Sequence, residues 1–235
     1  MPGGSEGGAG GAGMPSFAAL AAQADAPLGE LALAIAVELR RIDAAAVRLA
    51  REELDALGAE LAADLRRTGA RDPQGEARAC AELLGARHGF AGDAEHYDDP
   101  ANSMLDLVLE RRRGLPIVLS VLYVEVARRA GVALAGVGLP GHYVVGHFGA
   151  SPPLLLDPFA RGAPVAGEHP PELVRPWGPH ETALRMLNNL VGSYQRRGDV
   201  GRAIAAATMR LELPLHRRLR DALEGELRIL RARLN

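Results

Sequence analysis

The segment GLPIVLSVLYVEVARRAG, residues 114–131, decides the fold of this chain. Pro116 suits the first position of a helix, and Gly131 suits the residue that follows its last turn. Between these two ends nearly every residue is apolar, so the helix has no polar face and is predicted to be buried on all sides. The sequence therefore predicts a central helix around which the rest of the domain packs.

Three short strands are predicted after this helix, at residues 134–138, 142–148 and 154–157. Their connections are Pro140-Gly141 and the stretch 149–153, both of which contain residues typical of turns. A helix followed by a small antiparallel sheet indicates the α+β fold class.

The second and third strands carry a candidate pair of catalytic residues, His142 and Asp157. If the hairpin turns at residues 149–152, Val144 lies opposite Asp157, and His142 lies diagonal to Asp157 on the same face. A carboxylate that orients an imidazole is the base half of a catalytic triad. Because a register slip of one residue would separate the pair, its existence depends on this turn.

A nucleophile for this pair is expected at the start of the central helix, where backbone amides favour an anion. Pro116 occupies that position and carries no nucleophilic group. Ser120, one turn further along, is the first hydroxyl candidate, but a serine on an apolar helix also bonds back to the carbonyl four residues earlier. Cys80 is predicted to be a small buried hydrophobic residue.

Helices are predicted on both sides of this core. Two or three cover residues 17–67, one covers residues 75–88, and one runs from Met104 to Arg113. For that last helix, Ser103 and Asp106 resemble a capping box, and a solvated arginine triplet at 111–113 opposes the helix dipole.

A separate helical module is predicted after Pro176. The stretch LNNLVGSYQRRGDVGRAI, residues 187–204, resembles one tetratricopeptide repeat, with two antiparallel helices joined by a Gly-Asp turn. A single repeat is too small to be stable alone, so it is expected to pack on the core. The last helix carries leucines at seam-like spacing, which predicts either a cap on the repeat or a surface for a dimer or partner. These leucines are Leu219, Leu223, Leu227, Leu230 and Leu234.

The composition of the 235 residues excludes several classes of function. All 27 basic residues are arginine, so lysine Schiff-base chemistry and a phosphate-loop lysine are excluded. The net charge of -2 and the lack of a helix-turn-helix pattern argue against nucleic-acid binding. One cysteine cannot form an internal disulfide or a thiolate metal cluster, and no metal or cofactor is predicted. The Gly-rich residues 1–15 are predicted to be a disordered tail and lack a secretory signal, and no apolar run reaches membrane-spanning length, so a cytoplasmic protein is expected.

A longer resemblance covers residues 88–162. The run HGFAGDAEHYDDPANSMLDLVLERRRGLPIVLSVLYVEVARR, followed by GVGLPGHYVV and LLLDPFARG, resembles bacterial transglutaminase-like proteins of the SirB type, described as regulators of SirC or of invasion-gene expression. In active transglutaminases a cysteine opens the central helix, and Pro116 stands at that position. His142 and Asp157 match the family histidine and aspartate. The resemblance therefore implies the fold without acyl transfer.

Taken together, these patterns predict a helical region at 16–100, a transglutaminase-like core at 101–175 and the repeat-like module at 176–235. Asn102, Pro116, Gly141 and Tyr143 are expected to line a pocket beside the pair. The predicted function is a non-catalytic scaffold that binds a protein or peptide through the repeat-like module, with a homodimer as a further possibility. The alternative is a hydrolase or acyltransferase that uses His142, Asp157 and a hydroxyl such as that of Ser120.

Overall fold

The computed structural model describes residues 14–167 and 169–233. The predicted tail, residues 1–15, therefore lies outside the described residues except for Met14 and Pro15. The described helices are α1 Phe17–Ala21, α2 Leu28–Arg40, α3 Ala44–Thr68, α4 Pro73–Cys80, α5 Leu105–Arg111, α6 Pro116–Ala130, α7 Pro179–Arg196, α8 Val200–Arg210 and α9 Arg217–Ala232. The strands are β1 Ala91–Gly92, β2 Arg113–Gly114, β3 Leu134–Leu139, β4 His142–His147, β5 Leu154–Asp157 and β6 Ala163–Pro164. A π-helical turn at Ala81–Arg87 continues α4, and 3-10 turns occupy Pro100–Ser103 and Pro158–Ala160.

The central helix is confirmed as α6. Pro116 is its first residue, and Gly131 ends it in the left-handed conformation with φ of 77°. The helix is buried along most of its length, including the polar residues Ser120 and Glu125. It packs on α3 and on β3 and β4, and thus lies at the centre of the fold.

A four-stranded antiparallel sheet follows α6 in the order β3-β4-β5-β6. Val145 pairs with Leu156 and Gly146 with Leu155, which is the register predicted for the second hairpin. The two faces of β4 join different cores. Tyr143 and Val145 belong to the main core with α6, whereas Val144 belongs to a small second cluster with residues of β3. The α+β fold class is confirmed.

A buried carboxylate on α6 holds the N-terminal helices α2 and α3. Glu125 accepts a hydrogen bond from the backbone N–H of Gly29, at 3.0 Å, in the first turn of α2. The residue before α2, Pro27, has no capping side chain, so Glu125 supplies the acceptor that a local cap would have provided. The same carboxylate pairs with Arg129, which also reaches Asp55 of α3.

The helix predicted from Met104 to Arg113 is shorter than expected, and its predicted capping box is wrong. Helix α5 begins at Leu105 with Met104 as a cap that makes no side-chain bond, while Ser103 belongs to the preceding 3-10 turn. Arg112 ends α5 with φ of 59° and pairs with Glu53, and its guanidinium lies 4.5 Å from the centre of the Phe90 ring. These long-range contacts, which local sequence does not show, draw Arg112 into the fold.

The C-terminal helices pack on the core, as the sequence predicted. Helices α7 and α8 form a hairpin whose turn contains Gly198 with φ of 73°, and the Asp199 side chain caps α8. Helix α7 packs against α2, and α9 packs on α8 through Leu223, Leu227 and Leu230. The predicted seam residue Leu234 lies outside the described residues. Among the helices of residues 14–167 and 169–233, none combines the length and apolar character that a membrane span requires.

Candidate functional site

The candidate site lies at the start of β4, directly after the turn formed by Pro140 and Gly141. Gly141 has φ of 72°, a conformation that glycine adopts without steric cost. In the paired strand, His142 shares a face with Val144 and therefore projects toward the small second cluster. Helix α6 contributes no residue to that cluster.

His142 and Asp157 are close together, as the predicted register requires. The Nε2 atom of His142 lies 2.9 Å from Oδ2 of Asp157, and the two side chains are 33% and 21% exposed. The other carboxylate oxygen, Oδ1, accepts a hydrogen bond from the backbone N–H of Phe159 at 2.9 Å. The Asp157 side chain is thus held by a backbone N–H two residues later in the chain. The Nδ1 atom of His142, in contrast, forms no hydrogen bond with any described residue.

The loop after β5 fixes the position of Asp157. The carbonyl of Asp157 accepts a hydrogen bond from Gly162 at 2.8 Å, which closes the loop on itself. Gly85 of the π-helical turn lies so close to Arg161 that a Cβ atom there would overlap the Arg161 carbonyl. Gly162 has φ of 77° and packs against Ala81 in the same turn. Backbone packing between two segments that are far apart in sequence therefore fixes the position of the Asp157 carboxylate.

The start of α6 offers no nucleophile. Pro116 is buried at the first turn, and the fully buried hydroxyl of Ser120 donates a hydrogen bond of 2.8 Å to the Pro116 carbonyl. This is the structural arrangement that a serine on an apolar helix favours. Among the described residues, no hydrogen bond or ion pair joins Pro116 or Ser120 to either member of the His142 and Asp157 pair.

The remaining predicted pocket residues are dispersed. Buried Asn102 donates to Asp93 at 3.1 Å and to the carbonyl of His96 at 2.8 Å, so it holds the loop before α5. Tyr143 projects from the face opposite His142, and its hydroxyl lies 2.8 Å from that of Thr182 in α7. Burial raises the pKa of Tyr143 to about 12. The structure thus brings together the predicted pair but does not bring Tyr143 to its side of the sheet.

Cys80 does not supply the missing thiol. It is fully buried at the end of α4, and desolvation raises its pKa to about 12, so the thiolate form is disfavoured. The expectation that this residue is a buried hydrophobic residue is confirmed.

Two features of the structure are not indicated by the sequence. The first is a second histidine and carboxylate pair, His147 with Glu76, whose Nε2 and Oε2 atoms are 2.7 Å apart across 71 residues of sequence. The second is a cavity of about 970 Å³ between α4, β5 and the segment after β6. Both join segments that no local pattern connects. Within the described ranges, no three His, Cys, Asp or Glu side chains are arranged to hold a metal ion.

Chemically, the pair at His142 and Asp157 is an imidazole oriented by a carboxylate, with one ring nitrogen left open. Such a pair can move a proton, but it needs a nucleophile or a bound ligand to act on.

Comparison with known proteins shows which family this chain resembles. The model of the transglutaminase-like superfamily matches residues 48–191. A UPF0162 protein of Xylella fastidiosa strain 9a5c is 38% identical over an alignment of 143 residues, and the match covers 53% of this chain and 51% of that protein. The UPF0162 protein of Pseudomonas aeruginosa is 35% identical over 126 residues, 53% of this chain and 44% of its own. F-box only protein 21 of the mouse is 31% identical over an alignment of 129 residues, and the match covers 46% of this chain and 20% of that protein.

These matches bear on how far the similarity extends. The chain spans about half the length of the first Xylella relative. No solved structure matches the chain. The family match covers more than half of the chain, from α3 through most of α7, and includes α6, the sheet and both members of the His142 and Asp157 pair. The chain therefore belongs to the transglutaminase-like superfamily.

Proposed function

We propose that this protein is a non-catalytic, SirB-type member of the superfamily that acts as a binding or regulatory scaffold in a bacterial cytoplasm. The observation that carries the proposal is the start of α6. The family resemblance puts Pro116 at the position where active transglutaminases have a cysteine, and the Ser120 hydroxyl donates a hydrogen bond to the Pro116 carbonyl. The fold retains the base and its orienting carboxylate but has no group there for them to activate.

The state of the other nucleophile candidate supports the same proposal. Cys80 is buried and held as a thiol by its raised pKa, about 12. Catalysis by Cys80 would require a route for substrate into the core. It would also require ionisation of the Cys80 thiol, which burial opposes. The acyl transfer of active transglutaminases is therefore not expected of this chain.

The partner of this scaffold is proposed to be a protein or peptide bound by the repeat-like hairpin α7 and α8. That hairpin is anchored on the core by its contact with α2 and by the pairing of Thr182 with Tyr143, so its outer face is held at a fixed orientation. Helix α9 covers α8 with Leu223, Leu227 and Leu230, and the exposed Ile229 on the same helix offers an apolar contact for a homodimer. The net charge of -2 favours a protein partner over a nucleic acid.

The proposal is tested with acyl and peptide substrates. We expect an activated acyl ester to be hydrolysed by the protein no faster than by the variant that combines His142→Ala with Asp157→Ala. A fluorophosphonate probe should leave no adduct on any hydroxyl, and Ser120→Ala is the matched control for that experiment. A hydrolysis rate that depends on both His142 and Asp157 would overturn the proposal.

That result would support the second candidate function, a hydrolase or acyltransferase with a nucleophile other than cysteine. One observation favours this alternative: the imidazole of His142 is one-third exposed, and its Nδ1 atom is open. An adduct on a hydroxyl, lost in His142→Ala, would identify the nucleophile.

A further inference from the structure

The cavity of about 970 Å³ lies outside the His142 and Asp157 pair, since neither residue lines it. One wall comes from α4 and the π-helical turn, with Ala77 and Ala81, and a second comes from Leu154–Leu156 of β5. The third is formed by residues at 162–167 and 169–174, which include Val165 and Val174. The volume is within the range of about 300 to 1,000 Å³ that is typical of small-molecule sites.

Most of the described lining residues are apolar. Of the described lining residues, only Gln74, Arg78 and His169 have polar side chains, and none is a carboxylate. Arg78 forms no ion pair with any described residue. The Nε2 atom of His169 is shielded from solvent and has no hydrogen-bond partner among the described residues. An apolar space with an unpaired cation and an unpaired ring nitrogen is complementary to an apolar molecule with an anionic end.

An extended peptide fits this cavity less well. A peptide strand would need free backbone groups on the outer edge of β5. That edge is already used, because Leu156 and Asp157 pair with β6 and the carbonyl of Leu155 accepts a hydrogen bond from Val165 at 3.0 Å. Pro152 and Pro153 precede this stretch and offer no N–H. Side-chain contacts therefore have to provide the affinity.

We propose that the cavity binds an amphiphilic carboxylate, a molecule with a long apolar chain and one carboxylate head group. The apolar tail of the ligand lies along α4, β5 and the third wall, beside Val165 and Val174, and its head group meets Arg78 and His169. This site is independent of the proposed scaffold function, because it uses neither the pair at His142 and Asp157 nor the repeat-like hairpin.

The test is a calorimetric titration of the full chain with dodecanoate, with dodecanamide as the neutral analogue and butanoate as the short one. We expect dodecanoate to bind with a ratio of one to one and butanoate to give no measurable heat. Dodecanamide should bind about threefold more weakly or worse, since an exposed ion pair contributes up to roughly 1 kcal/mol. Equal binding of the amide and the carboxylate would contradict the assigned head-group site.

Variants locate the binding in the cavity. Arg78→Gln should weaken dodecanoate binding about threefold, because Arg78 is exposed and its ion pair is screened by solvent. The matched control is Arg66→Gln, which removes another exposed arginine without an ion pair in the described part of the chain. His169→Leu should weaken dodecanoate binding while leaving dodecanamide binding unchanged.

A third variant fills the space itself. Val174→Trp should abolish binding at an unchanged melting temperature, with Leu49→Trp, at an exposed position on α3, as its control. Dodecanoate binding that survives Val174→Trp would overturn the proposal, as would failure of the unaltered protein to bind it. If instead the protein is a dimer that Val174→Trp dissociates, the occupant is a second copy and the assignment of a carboxylate is wrong.

Discussion

Strand β4 carries a histidine and carboxylate pair on each of its two faces, and the pairs differ in how completely they are satisfied. His147 is 2% exposed; its Nε2 atom meets Glu76 at 2.7 Å, and its Nδ1 atom accepts a hydrogen bond from Gly149 at 3.1 Å. Because Nδ1 is an acceptor, the proton lies on Nε2, which donates to Glu76. His142 is 33% exposed and engages Asp157 through one nitrogen only.

The comparison shows that a histidine beside a carboxylate is not by itself the mark of an active site. The same two chemical groups form a closed structural clamp at one end of β4 and a half-open arrangement at the other. Burial and the use of both ring nitrogens distinguish the two. Substitutions in both pairs test this difference.

The largest effect is expected for His147→Ala. This change removes a side chain that is only 2% exposed and leaves the partly exposed Glu76 carboxylate without its partner, so the free energy of unfolding should fall by about 2–3 kcal/mol. Urea unfolding followed by circular dichroism measures it. Glu76→Gln, which keeps an acceptor for Nε2, is the control and should cost less than half as much. A loss below about 1 kcal/mol in His147→Ala would show that the clamp is not structural.

A smaller loss is expected for Asp157→Ala, about 1 kcal/mol, because the carboxylate caps the N–H of Phe159 at the start of a 3-10 turn. The same urea experiment measures it. Asp157→Asn keeps the cap oxygen and should recover most of the stability. If Asn and Ala destabilise equally, the contact with His142, and not the cap, is what Asp157 contributes.

His142→Ala should change the free energy of unfolding by less than about 0.5 kcal/mol, as expected for a side chain at the surface. In the unaltered protein, diethyl pyrocarbonate should modify His142 well before His147, since only the first has an exposed ring and an open nitrogen. Mass spectrometry of peptides at successive times reads out both sites. Modification of His147 at the same rate would remove the distinction between the two faces.

The smallest effect concerns a third pair, His88 with Glu60, whose Nε2 and Oε2 atoms are 2.7 Å apart. Hydrogen bonds from Arg87 and His88 lower the pKa of Glu60 below its ordinary 4.5. The folded protein then binds fewer protons than the unfolded chain near pH 4.5, so this contribution is present above that pH and is lost as the pH falls through the folded value. In Glu60→Gln, stability should fall less steeply with acidification below pH 4.5, by a few tenths of a kcal/mol because Glu60 is over one-third exposed. Urea midpoints measured between pH 3 and 6 test this, and an unchanged slope would contradict it.

Much of the fold follows from local sequence. The buried helix α6 is defined by its proline, its glycine and its lack of a polar face. The register of β4 and β5 follows from the length of their turn, and with it the meeting of His142 and Asp157. These features depend on residues close together in the chain, where periodicity and turn chemistry are informative.

The predictions that were wrong or missing concern interactions between residues that are far apart in the sequence. Helix α5 ends before Arg112, because the Arg112 side chain pairs with Glu53 and lies over the Phe90 ring. The π-helical turn at 81–87 fits the Arg161 backbone, and no pattern within the turn indicates this. The cavity and the His147 clamp likewise join α4 to residues more than 70 positions later. Tertiary contacts decide such features, so one sequence taken alone does not show them.

The contact between Glu125 and Gly29 also has a consequence for synthesis of the protein. The N-terminal turn of α2 obtains its acceptor from a residue 96 positions later. A ribosome adding about 5–20 residues per second takes roughly 5 to 20 seconds to supply it. During that interval α2 is on the nascent chain without its cap and without α6 to cover its apolar face. Helix α2 is therefore synthesised well before the contacts that complete it, and its apolar face is open to chaperones during that interval.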